Sequence, residues 1–152
     1  MSLSPLAIVI FWWMVCLAPG KDHRHLASVT ARVLEEAEPL YRGDDERLRT
    51  AALVTAVMYR ESAFDEKAVG DSGHSFCPMQ LHDSSGGSRL LLDDTEGCVR
   101  LGVAMLRQSI RVDRANPVAF YARGPRFTSP EAQRISRDRV ALARALLADR
   151  DK

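Results

Sequence analysis

Apolar residues recur at helical spacing along almost the whole chain, and that recurrence limits the fold more than any other feature. Val99, Val103, Leu106 and Ile110 stand at i, i+4, i+7 and i+11, one face of a helix. Leu26, Val29, Val33 and Leu34 form an earlier stripe that stops near Pro39. Between them, "RGDDERLRTAALVTAVMYRES" starts with acidic residues, where the helix dipole favours them, and Asp44 or Asp45 can cap it. Leu48, Ala52, Val54, Val57 and Met58 fill its apolar side. Asn116-Pro117 and Ser129-Pro130-Glu131 each read as an N-cap and first helical position. The second opens a helix carrying Ile135, Leu142 and Leu146. Sustained period-two alternation is absent. The pattern predicts a mainly α domain with one long irregular span, about residues 63–94, rich in Gly, Ser and Asp. A loop of that length in a small domain is usually functional.

The 152 residues suffice for one domain with a proper core. A formal net charge of +1, without a basic block, gives no footprint for nucleic acid. Residues 6–18, "LAIVIFWWMVCLA", form an unbroken apolar run between Pro5 and Pro19. It is short for a membrane span and suits the core of a secretory signal. Ala18 and Gly20 supply small residues for cleavage before Lys21, although no Lys or Arg precedes the run. Residues 1–20 are therefore expected to be a signal peptide, or else an uncleaved membrane anchor, followed by a domain over 21–152. Membrane contact is expected only through residues 6–18. Removing the segment removes Cys16 and leaves Cys77 and Cys98. In an exported protein these form a disulfide; otherwise they are two buried thiols.

Glu61 breaks the pattern. Val54, Val57 and Met58 lie at i−7, i−4 and i−3 on its own helical face, and the irregular span begins just after it. A carboxylate there must be paired, neutralised or used. Desolvation at the mouth of a cleft would keep it protonated near neutrality, as a general acid requires. On position alone, the same placement suits a glutamate ion-paired with an arginine near a helix end.

The blocks around Glu61 are Glu61-Ser62, then "GDSGHSF" over 70–76, Cys77-Pro78-Met79-Gln80, and "AFYARGP" over 119–125. In order and spacing, over about residues 45–128, they resemble the lysozyme-like lytic transglycosylases, with features of goose-type lysozymes in the loop. Cys77 replaces the usual Gly before Met-Gln, and Ala122 replaces an Asn. The resemblance implies a lysozyme-like helical domain whose irregular loop shapes the active site. It makes Glu61 the catalytic acid and then base, with Tyr121 hydrogen-bonding and orienting its carboxyl. Ser62 would sit beside the scissile bond, Met79 and Gln80 would line the glycan groove, and Gly124 falls in the same substrate-contacting set. Apart from the motif, Tyr121 and Met79 read as core residues.

The implied reaction cleaves the β-1,4 bond between N-acetylmuramic acid and N-acetylglucosamine in peptidoglycan, leaving a 1,6-anhydro end and needing no cofactor. Hydrolysis is the alternative; it usually needs a second carboxylate, for which Asp71 matches a goose-type acid, while the other falls on His82. A non-catalytic peptidoglycan-binding relative is the third reading. His74, Cys77, His82 and Cys98 could together offer soft ligands, but His-x2-Cys-x4-His is not a zinc spacing, so no metal is assigned. The expected molecule is an exported monomer in the periplasm or outside the cell, acting on glycan strands.

Overall fold

The computed structural model describes residues 2–150. Six α-helices carry the fold: α1 Pro5–Leu17, α2 Arg24–Glu36, α3 Glu46–Ser62, α4 Thr95–Val112, α5 Ala119–Arg123 and α6 Pro130–Arg150. The mainly α class is as expected. Helix α3 is central. Every residue from Thr50 to Met58 is buried, so it is covered on all sides rather than along one stripe. Helices α1, α2 and α6 pack against it, and α4 packs on α2.

The start signals fare unequally. Ser129 caps α6 by accepting the Ala132 amide, whereas Asp45 stands at the N-cap of α3 without a side-chain cap hydrogen bond; Asp94, not singled out in the sequence, caps α4 by accepting the Gly97 amide. Asn116-Pro117 opens no helix; α5 begins at Ala119, and Asn116 belongs to a turn whose amides bond Asp113 Oδ1. The irregular span also holds three two-residue strands, β1 Val69–Gly70, β2 Ser75–Phe76 and β3 Leu81–His82. They form an antiparallel sheet in the order β1-β2-β3, Val69 opposite Phe76 and Phe76 opposite Leu81. Strands so short leave no alternation to read.

Residue 20 is not a boundary in the packing. Ala7, Ile10, Trp13 and Met14 of α1 are buried in the same core as α2 and α3. The Trp13 indole N–H donates to the Leu146 carbonyl of α6 at 3.1 Å. In the full chain the run expected as a leader or anchor packs into this core. The physical reason is its uniform apolarity, which lets any face of the helix enter the groove left by its neighbours. No helix among the described residues is long and apolar enough to cross a membrane.

Cys77 and Cys98 are joined, with Cα atoms 6.3 Å apart. The bridge ties the irregular span to α4. It also removes both thiolates from the four-ligand set weighed above. A disulfide is compatible with an exported protein.

Candidate active site

The floor of the site is the C-terminus of α3. The helix stops because Ala63 and Phe64 both adopt left-handed backbone, φ 50° and 65°. Phe64 then turns inward and packs its ring against Tyr59 and His23. This leaves Glu61, on the last turn, at the edge of a cleft of about 800 Å³. The cleft is bounded by the irregular span on one side and by α4, α5 and residues 124–125 on the other.

Burial pushes the Glu61 carboxyl above the usual carboxylate range, against the opposing pull of Arg139 and Arg123. Arg139 Nη2 lies 3.7 Å from Glu61 Oε1, too long for a tight bond, and its side chain is only 17% exposed. Asp138 holds the same guanidinium at 2.9 Å and also pairs with Arg60. Arg139 Nε is buried without a hydrogen-bond partner. Desolvation therefore outweighs the ion pair, and the carboxyl keeps its proton to higher pH than a free glutamate.

The loop wall is made of unusual backbone. Asp71, Ser72, Cys77 and Gln80 all have positive φ, between 51° and 68°. Such conformations persist only where the surroundings over-determine them, and they gather at functional sites. Here the surroundings are specific. The Gln80 amide donates to the Ala68 and Cys77 carbonyls, and the Cys77 amide donates to Ala68. Met79 is driven into the core so tightly against α4 that a Cβ on Gly102 would stand 2.5 Å from its terminal methyl. The opposite wall turns at Gly124, whose φ of 52° with ψ of −127° suits glycine.

Glu61, Asp71, Gln80, Tyr121 and Gly124 all line the cleft. Met79 does not: it is fully buried beneath the loop. Ser62 points at the loop, its hydroxyl 2.8 Å from the Pro78 carbonyl and 3.2 Å from that of Met58. It joins the helix end to the Met-Gln turn rather than lining the cleft. Tyr121 donates its phenol hydrogen to the Met79 carbonyl at 2.6 Å, not to Glu61. The left-handed turn leaves that carbonyl needing a donor, and a buried carbonyl claims one. The Tyr121 hydroxyl is pushed well above its ordinary pKa, first by burial and then by the nearby Glu61 charge.

Sequence reasoning did not find Arg139, whose arginine is one of many on an unremarkable helical surface pattern. It also passed over Ser84, Gln108 and Arg123, which line the cleft. Asp71 pairs with His82 at 3.1 Å, and Asp83 raises His74 by bonding it at 2.7 Å. The chain matches no family model, no curated protein and no solved structure in comparisons with each.

Proposed function

We propose that this protein is a lysozyme-like lytic transglycosylase that cleaves peptidoglycan glycan strands, with Glu61 as acid and then base. The observation that carries the reading is the placement of Glu61: a half-buried, proton-retaining carboxyl at the edge of a cleft of about 800 Å³, where an apolar helix meets a polar loop. A protonated carboxyl gives its hydrogen to the glycosidic oxygen as the C1–O bond breaks. The muramic acid 6-hydroxyl then attacks C1, and its proton passes to the Glu61 carboxylate, which restores the acid and leaves a 1,6-anhydro end. The chemistry calls for no cofactor.

The roles of the neighbours follow their contacts. Arg139 steadies the carboxylate that forms between the two proton transfers. Tyr121 holds the Met-Gln turn in place through the Met79 carbonyl, and so positions Gln80, whose side chain faces substrate. Asp71 and Gly124 shape the two walls. The proposed setting is outside the reducing cytosol, with the enzyme acting alone on the wall polymer.

Peptidoglycan digested with wild type and with Glu61→Gln, followed by mass spectrometry of the released muropeptides, tests this. Wild type is expected to release anhydro ends. Glu61→Gln should reduce release by about 100-fold or more, the usual range for a lost general acid. Equal release by both proteins, or none by either, would sink the reading.

A further inference from the structure

One rim of the cleft carries an imidazole held at both ends. His82 Nε2 lies 3.1 Å from Asp71 Oδ2. Its Nδ1 accepts the backbone N–H of Ser84 at 3.1 Å and lies 2.7 Å from Ser84 Oγ. An amide N–H can only donate, so Nδ1 carries the lone pair and the ring hydrogen sits on Nε2, directed at Asp71. The basic nitrogen is thereby joined to a hydroxyl. Asp71, His82 and Ser84 all line the same cleft as Glu61. A base within hydrogen-bond reach of a hydroxyl, and itself oriented by a carboxylate, is the arrangement that activates an attacking oxygen. Asp71 reaches this position through left-handed backbone at Asp71 and Ser72, so the pairing is not a by-product of the turn at His82.

We propose that His82, oriented by Asp71, is a second base of this cleft and that it delivers water, through the Ser84 hydroxyl, to the sugar carbon activated by Glu61. The inference rests on the glycan-cleaving reading above and adds a hydrolytic outlet to it. Glu61 protonates the glycosidic oxygen and the C1–O bond breaks. The water oxygen bonds to C1. Its proton passes to Ser84 Oγ as the serine proton moves to His82 Nδ1. Asp71, together with Asp83 Oδ1 at 3.2 Å, stabilises the imidazolium. The imidazolium then releases its proton to solvent, and Glu61 takes one back from solvent. The product has a reducing end, and a histidine-aspartate pair takes the place of a second free carboxylate.

The test is the ratio of reducing to anhydro ends in peptidoglycan digests, measured by mass spectrometry after borohydride reduction. Wild type should give both kinds. His82→Ala is expected to cut the reducing fraction by about tenfold or more while anhydro ends persist, with Asp71→Asn moving it the same way. The charged groups around the ring are Asp71, Asp83, the stacked His74 and, lining the same cleft, Glu61 and Arg123. An unchanged ratio in His82→Ala, or a wild type that makes anhydro ends only, overturns the base while leaving the transglycosylase standing. Should His82→Ala lose all cleavage, an unchanged ratio in Asp71→Asn overturns it instead. A wild type that makes neither end removes both proposals.

Discussion

A carboxyl whose pKa is raised by burial links activity to stability with opposite signs. The folded chain holds the Glu61 proton to higher pH than the unfolded chain does. Below the unfolded value the two states are equally protonated and nothing is lost. As pH rises through the window above it, the buried site must accept charge, and the fold loses stability. Glu61→Gln should therefore melt higher than wild type at neutral pH, with the gap closing in acid; a lower melting temperature at neutral pH would show that the Arg139 pair outweighs desolvation. Arg139→Met removes the largest opposing influence and so lifts the Glu61 pKa further. The basic limb of the pH–activity profile should move to higher pH, and an unmoved limb would mean that Arg139 does not sense the carboxyl. At this scale the sequence was legible for Glu61, whose apolar helical neighbours marked it. It was not legible for Arg139, which lies far along the chain and in no motif. Nor did it reveal the partner of Tyr121, because backbone carbonyls left open by a left-handed turn have no sequence signature.

At the scale of elements, the irregular span is held by a bridge and a lock. The bridge is Cys77–Cys98, closing a separation of 21 residues, and the lock is Met79 seated against Gly102. On the chain-entropy estimate the bridge contributes about 3 kcal/mol. Cys77→Ala with Cys98→Ala, compared with the oxidised wild type, should lower Tm by roughly 6–12 °C. It should also cost activity, because Cys77 holds the left-handed turn on which Gln80 stands. A double variant with unchanged Tm would mean that the lock alone suffices. The long helices and the start of α6 could be read from periodicity and from Ser129; the Asp94 cap of α4 was not singled out. The short sheet could not, since two residues per strand fall below any periodic signal. Its register is set instead by tertiary packing and by the turns between the strands.

For the whole molecule, the sequence suggested a leader and a domain, and in the full chain the leader-like run packs on that domain. An apolar run of this length carries no mark that tells a secretory core from a buried helix. Both are uniformly apolar, and only the neighbours decide. With Ala7, Ile10, Trp13 and Met14 buried, a chain beginning at Lys21 would uncover the faces of α2 and α3 that α1 now covers. Such a chain should melt well below the full one or aggregate. An equal Tm for both would favour the division at residue 20.

The contact between Trp13 and Leu146 spans 133 residues and joins α1 to α6. The core cannot close while the chain is still emerging, because its final wall does not yet exist. Until α6 is made, α1 holds its apolar sides open to any surface that will take them.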